Sequence, residues 1–340
     1  MNAVTPENIL KLGMGFWASK TLLSAVELGL FAVLAEGPQS VEALTCRLGL
    51  QGRGARDFFD ALVALELLDR DDNGRYANTS AGSAYLDPHQ PTYIGGLLEY
   101  LNVRMYRTWD LLTPALRQGM PQCGPAAAGG FMEFYKDQAA FEIFLKGMTG
   151  GSRMAARALA EKFPWEAYET FVDIGTAQGC MPVEIAQVHT HLTGGGFDLP
   201  QLQTAFTSYV SEHNLSGRLK FYPGNFFEDP FPGAEVLIMG RVLHDWNLPK
   251  RKLLLSKAFE ALTVGGTLIV HETFIDDTRC RRVHSLLASL NMLIQTDDGS
   301  EFTELECMTW MREAGFTQAH VVPLAGPHAA VIGTKAARNE

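Results

Sequence analysis

The stretch Phe171-Val172-Asp173-Ile174-Gly175-Thr176-Ala177-Gln178-Gly179 constrains this chain more than any other. An apolar run of strand type ends in small residues, and apolar residues between Met181 and Val188 then recur at helical spacing. A strand that opens through glycines into a helix lets a ligand approach backbone N–H groups with no Cβ in the way, near the positive end of a helix dipole. Such junctions occur in any parallel α/β sheet, so this stretch alone is equally compatible with a structural turn. About twenty residues on, where a dinucleotide fold places its ribose acid, a second short strand from Gly194 to Leu199 carries Asp198 at its end. Together the two strand ends make half of a nucleotide-type site.

At 340 residues the chain exceeds what one core usually organises, and two domains are expected. A net charge of −10 argues against a general binder of phosphate backbones, so nucleic acid is not expected as a partner. Cys46, Cys123, Cys180, Cys280 and Cys307 are scattered, with no C-x-x-C pair, and read as free thiols in a reducing compartment without a metal site. The first twenty or so residues lack the charged, apolar and small-residue segments of a signal peptide. No apolar run reaches the roughly 18 residues of a membrane span. A cytoplasmic protein with no membrane association is the expectation.

The first third reads as helical. Apolar residues from Ile9 to Leu34 cover much of a helix circumference, which asks for burial on more than one side and so for a partner subunit. Ser40 reads as the N-cap of a short helix, a second helix is expected from Gly54 to Leu68, and Asn73-Gly74 signals a hairpin. Helix, helix, hairpin is a winged-helix outline. Asp57, Asp60 and Glu66 offset Arg53 and Arg56 on the second helix, which favours dimerisation over DNA binding. Tyr93–Leu116 and Phe131–Leu159 read as further helices, separated by a loop from Pro121 to Gly130. The expected division is a dimerisation domain over 1–120 and a second domain over 121–340, with residues 131–160 as a linking helix that walls a pocket.

From Thr170 onward strands and helices alternate, with strands expected at 171–175, 195–199, 219–222, 235–240, 267–271, 319–323 and 329–334. The fold class is therefore α/β, a Rossmann-like, doubly wound, mostly parallel sheet of seven strands behind an N-terminal, mainly helical winged-helix domain. Ligands of such sheets sit beyond the carboxyl ends of the strands. The distinctive residues lie there: Asp173, Gly175 and Gly179, then Asp198 and Leu199, then Gly224-Asn225-Phe226-Phe227, then Gly240-Arg241-Val242-Leu243-His244-Asp245-Trp246, then Glu272.

Asp-Ile-Gly-x-x-x-Gly, Phe-Asp-Leu-Pro, Gly-Asn-Phe-Phe, Arg-Val-Leu-His-Asp-Trp and the later Glu301-Phe302-Thr303 resemble, in order and spacing, the class I S-adenosylmethionine-dependent small-molecule O-methyltransferases. That group, of plant caffeic acid type and bacterial antibiotic-tailoring enzymes, carries an N-terminal winged-helix dimerisation domain. The resemblance spans the whole chain. It implies S-adenosyl-L-methionine as cofactor, a small-molecule acceptor and a homodimer. It places Gly175 by the methionine part of the cofactor, Asp198 on the ribose, and Asn225 and Phe226 beside the adenine, with Asp173, Leu199, Gly224, Gly240 and Arg241 also in the cofactor site. His244 becomes the general base, with Asp245, Glu272 and Glu301 as the acids around it. Phe144, Met148, Trp246 and Asn291 are assigned to the substrate pocket. Three departures stand out: the turn is Gly-Thr-Ala-Gln-Gly where the family usually has three glycines, Asn225 replaces an aspartate, and Gly240 stands where many members have a lysine.

Histidine suits the role, because an imidazole with an ordinary pKa near ~6.5 can take the proton of a phenol or acidic enol at neutral pH. His271 and Glu272 are neighbours on a strand and should face opposite ways, and His284 should be structural or solvent-facing. Three other functions remain open on the sequence: a C-methyltransferase on an enolisable keto acid with a metal held by His244 and Asp245, a winged-helix transcription factor, and a cofactor-binding relative that transfers no methyl group.

Overall fold

The computed structural model describes residues 5–124 and 130–336, apart from the side chains of residues 132 and 133. It divides into two compact units, 1–107 and 108–340. In the first, the expected long helix is three: Glu7–Gly13, Gly15–Glu27 and Leu30–Ala35. The second break falls at Gly29, whose φ of 69° is left-handed and ends the helical run. Ser40 caps the helix Val41–Arg47 by accepting from the Ala43 N–H, as its sequence predicts. The next helix, expected to reach Leu68, stops at Ala64. Glu66 turns left-handed, with φ 60°, and releases Leu68 to begin β1 (Leu68–Arg70), which pairs with β2 (Tyr76–Asn78) across Asn73-Gly74. Leu30, Phe31, Leu44, Phe59, Leu62 and Leu68 form the core of this unit.

The units divide at Arg107/Thr108, earlier than the expected 120/121, because the helix Leu112–Gln118 packs on the late helix Val283–Gln295. Gln122 and Cys123 extend that attachment by donating their N–H groups to the Ile294 carbonyl. Residues 125–129 of the expected loop lie outside the described residues. The helical pattern from Phe131 is split into Phe131–Phe134 and Gln138–Lys162, the second capped by the Asp137 carboxylate.

The remaining strands are β3 (Thr170–Ile174), β4 (Thr193–Asp198), β5 (Leu219–Pro223), β6 (Ala234–Gly240), β7 (Leu262–Glu272), β8 (Thr317–Pro323) and β9 (Ala329–Thr334). They form one seven-stranded sheet in the order β5-β4-β3-β6-β7-β9-β8. All pairs are parallel except those made by β9, which runs antiparallel to β7 and β8. Both faces are covered: Phe171, Val236, Ile238 and Ile269 enter one apolar core, and Val172, Leu237, Met239 and Val270 enter the other. Burial on both faces explains why the central parts of β3, β6 and β7 are largely apolar on both sides. The order reverses at β3, flanked by β4 on one side and β6 on the other, so a crevice at its carboxyl end is the expected ligand position.

Candidate active site

Parallel register brings the three turns of the cofactor half side by side. Ile174 is opposite Phe197, and Asp198 is opposite Pro223. The Gly175 N–H donates to the Phe197 carbonyl at 2.8 Å, and the Gly224 N–H to the Asp198 carbonyl at 2.9 Å. Gly175 has φ 76°, and a Cβ there would lie 2.5 Å from Val242 Cγ2, so glycine is required both by conformation and by space. Asp198 is buried, and its two carboxylate oxygens accept from the Ala177 N–H at 2.8 Å and the Leu199 N–H at 2.7 Å. Burial pushes its carboxyl up to about 6 against those two hydrogen bonds. Asp173 is also buried; desolvation, with the Asp198 charge adding, raises it to about 7.

The third turn is built by local capping. The Asn225 side-chain carbonyl accepts from the Phe227 N–H at 3.0 Å, and the Asp229 carboxylate from the Asn225 N–H at 2.8 Å. Lys257 then grips the same loop, donating to the Phe226 carbonyl at 2.6 Å and the Asp229 carbonyl at 2.7 Å.

The expected catalytic residues lie on a turn after β6. Leu243–Asp245 form a single 3₁₀ turn, ended by Asn247, which caps the helix Leu248–Ala261 through the Lys250 N–H and ties to Asp298 at 2.8 Å. His244 is buried there. Its Nδ1 is 2.8 Å from Glu301 Oε1 and 3.6 Å from Glu272 Oε2, while Asp245 Oδ1 lies 3.8 Å from Nε2. Glu272 holds the turn itself, its Oε1 accepting from the Leu243 N–H at 3.0 Å and the His244 N–H at 3.3 Å. Burial pulls the imidazole down, but the charges of Glu272, Glu301 and Asp245 outweigh it and lift His244 to about 10. Burial lifts Glu272 to about 7 against the attraction of His244. His244, Glu272 and Glu301 also bring ligand atoms within 4.8 Å of one another, close enough to hold a metal ion. Nδ1 is engaged by the Glu301 carboxylate.

A match to the O-methyltransferase domain covers residues 109–317, and one to the O-methyltransferase dimerisation domain covers residues 10–88. The chain belongs to the O-methyltransferase family. The tetracenomycin polyketide synthesis 8-O-methyltransferase of Streptomyces glaucescens is 39% identical over 330 residues, 97% of either chain. An N,N-dimethyltransferase of Streptomyces rimosus is 37% identical over 91% of this chain and 90% of its own. The crystal structure of human N-acetylserotonin methyltransferase in complex with S-adenosylmethionine superposes with a TM-score of 0.90 at 28% identity, covering 99% of both chains. This O-methyltransferase is S-adenosylmethionine-dependent. The site suits that cofactor on its own terms: a cradle at Gly175 that a Cβ would fill, and an acid at the end of the next strand.

The remaining expected positions are less tightly joined. Gly240 ends β6, where a Cβ would stand 3.1 Å from the Nδ1 of His271, so this ring fills space that a longer side chain at 240 would need. His271 is buried and pairs with His328 at 3.2 Å, on the opposite side of β7 from Glu272, while His284 is exposed. The Arg241 N–H donates to the His271 carbonyl at 2.8 Å, with Arg241 left-handed at φ 57°. Trp246 stacks edge-on with Phe227 at 4.7 Å and lies 6.2 Å from Phe131, which in turn lies 6.4 Å from Phe144, so Phe131 joins two of the expected pocket residues. A cavity of about 70 Å³ opens beside Asp245, Trp246 and Phe131. Asn291 is engaged by Gln295 at 2.9 Å on the helix Val283–Gln295, and Met148 is half-buried one turn along from Phe144.

The sequence pattern counts Tyr135 only among the aromatic residues of the helix expected to wall the pocket, and it does not mark Arg251 or Lys257, which hold the loops around the site. Tyr135 packs against Phe141 and Phe144, and burial together with the charges of Asp198 and Asp245 pushes its phenol well above the usual range. It thus lies in the electrostatic reach of both halves of the site. Nothing in its Phe-Tyr-Lys context distinguishes it from a core aromatic.

Proposed function

We propose that this enzyme methylates a phenolic or enolic hydroxyl of an aromatic secondary-metabolite acceptor, with His244 as general base. The observation that carries the reading is the buried Nδ1–Glu301 hydrogen bond of 2.8 Å, which orients the ring and leaves Nε2 without a hydrogen-bond partner at closer range than Asp245, 3.8 Å away. The hydroxyl proton passes to Nε2, and the oxygen that keeps the electron pair becomes the nucleophile. When bound, S-adenosylmethionine supplies an electrophilic methyl group and a positive charge at its sulfur. Gly175, Asp198, Asn225 and Phe226 would hold it, with Asp173, Leu199, Gly224, Gly240 and Arg241 around them. Phe144, Met148, Trp246 and Asn291 would face the acceptor. A pKa of about 10 for His244 matches that of a simple phenol, near ~10, so the proton moves between groups of similar basicity. The rate should therefore go on rising with pH well above ~6.5, where an ordinary histidine would already have levelled off.

The N-terminal unit leaves Ile9, Leu12, Phe16 and Trp17 more than half exposed, which supports a homodimer built on its dimerisation domain. The net charge of −10 disfavours nucleic acid as a partner. The N,N-dimethyltransferase relative favours a second reading, an amine acceptor at the same site. Parallel assays with a hydroxynaphthoate and with its amino analogue separate the two.

Replacing His244 tests the base. His244→Ala and His244→Gln should lower turnover by roughly 10²–10⁴-fold while the affinity for S-adenosylhomocysteine, read by calorimetry, stays within a factor of about two. Full turnover in these variants would remove the acid–base role.

A further inference from the structure

We propose that Arg251 is a positioning residue for catalysis: its guanidinium ties the turn that carries the base to the separate segment that carries the base's acid. This rests on the reading of His244 as base. Arg251 sits on the helix Leu248–Ala261 and is buried, with about 5% of its surface exposed. Its Nε donates to the Leu243 carbonyl at 2.9 Å, and one terminal nitrogen donates to the Ser300 carbonyl at 2.5 Å and the Ser300 hydroxyl at 3.1 Å. Leu243 and Ser300 immediately precede His244 and Glu301. One rigid, planar fork therefore spans the two chain segments whose side chains meet at 2.8 Å.

The other ties in this region do not duplicate that grip. The Ser300 N–H donates to the His244 carbonyl at 2.8 Å, and the Glu301 N–H to the Ser289 hydroxyl at 3.2 Å, but neither carries charge. Arg251 does. The groups that face it are Glu272 on β7, Glu301 beside the turn, and Glu306 and the Cys307 thiol on the helix Glu304–Glu313, with Phe302 and Trp310 packed at 4.6 and 5.5 Å from the guanidinium carbon. Three carboxylates, Asp245, Glu272 and Glu301, surround a single histidine that must gain and lose a proton. A cation that cannot be deprotonated faces this group from the helix behind it.

Positioning and mere bracing have different kinetic signatures. A brace affects how much enzyme is folded; a positioning residue changes the rate of the folded enzyme, so kcat falls while the acceptor KM, the cofactor affinity and the melting temperature hold.

Three variants test this in the full-length enzyme, with thermal unfolding and calorimetric binding of S-adenosylhomocysteine as controls. Arg251→Lys keeps the charge and loses the fork, Arg251→Gln keeps a donor and loses the charge, and Arg251→Met keeps neither. We expect kcat to fall about 10–100-fold in Arg251→Met, as for a small misplacement of reacting groups. The acceptor KM and the S-adenosylhomocysteine affinity should change less than about threefold, since neither ligand is expected to touch Arg251. Arg251→Lys, which keeps the charge and can still reach one of the two carbonyls, should recover part of the kcat lost in Arg251→Met, and Arg251→Gln should recover less. If Arg251→Met does not fold, the Lys and Gln pair carries the same comparison. Wild-type kcat in Arg251→Met, or a loss of kcat fully matched by a loss of folded, cofactor-binding enzyme, would overturn the proposal. Should His244→Ala keep full turnover, it is the base assignment that fails, whatever the Arg251 variants do.

Discussion

The two halves of the active site are built from different materials. At the cofactor end, Gly175, Asp198 and Gly224 are set by the register of parallel strands, and the bonds that hold them are backbone N–H groups given to carbonyls and to one carboxylate. At the proposed catalytic end, His244, Glu272 and Glu301 come from three distant segments and are held by buried ions acting on one another and on backbone groups. The first is a matter of shape and the second of charge. Variants at the two ends should accordingly separate: charge changes at the catalytic end should move rate and pH profile with little effect on cofactor affinity, and the reverse should hold at the strand ends.

The largest expected effect is at the pair that defines the catalytic end. Glu301→Gln preserves an acceptor for the His244 Nδ1–H but removes one of the charges that lift the imidazole to about 10. Two consequences follow with definite signs. The imidazolium formed in the transition state loses stabilisation, and turnover should drop on the order of 10²-fold. The imidazole pKa also falls, so the alkaline rise in rate should shift to lower pH. Glu272, Asp245, Arg241 and Arg251 remain as the charged surroundings, so the shift stops short of an ordinary histidine. Calorimetry on the same variant should give unchanged S-adenosylhomocysteine affinity. A tenfold change in that affinity would mean that the two halves are one coupled unit, and the contrast between shape and charge would fail.

At the other end, Asp198→Ala should weaken S-adenosylhomocysteine binding by roughly 1.5–3 kcal/mol, the range for hydrogen bonds to a charged acceptor. The wild type offers a second handle on the same carboxylate. Burial raises Asp198 to about 6, and hydroxyl donors prefer the ionised form, so cofactor affinity should decline as pH falls through that value. The decline should vanish in the alanine variant. Persistence of the pH dependence would assign it elsewhere, with Asp173, raised to about 7, the first candidate.

The same contrast separates what is legible in the sequence from what is not. Central strands such as β3, β6 and β7 are local, largely apolar runs bounded by turns, and Gly175 and Asp198 stand at strand ends where glycine and an acid are expected, whereas the role of His244 is legible only through the resemblance to a family. The helix ends are less legible: Gly29 and Glu66 adopt left-handed conformations that interrupt patterns which, by periodicity alone, continue to Leu34 and Leu68. Arg251 and Lys257 escape notice for another reason. Both lie in the run Leu248–Ala261, where four basic residues look alike in sequence, and both act on backbone carbonyls, which leave no trace in the identity of the residues they bind. Only the buried partner surface distinguishes Arg251 from exposed Lys252.

The smallest expected effect tests the shape side of the contrast at the turn that departs from the family pattern. Ala177 is held at φ 51°, a left-handed conformation that costs an L-residue roughly 1–2 kcal/mol, because its N–H must point at the Asp198 carboxylate. Glycine adopts that conformation freely but lowers stability through the unfolded chain by about 0.4–1 kcal/mol. The balance favours Ala177→Gly by a fraction of a kcal/mol up to about 1, which for a protein of this size amounts to an increase of roughly 1–3 °C in Tm by scanning calorimetry. S-adenosylhomocysteine affinity should change by less than about threefold in either direction, since the same N–H still reaches the same carboxylate. A fall in Tm would show that the methyl group of Ala177 contributes packing that outweighs its backbone strain. Half-buried beside Phe141, Leu145 and Leu202, it has the neighbours for that. The outcome thus decides whether the turn is held by backbone conformation alone or also by the side chains packed around it.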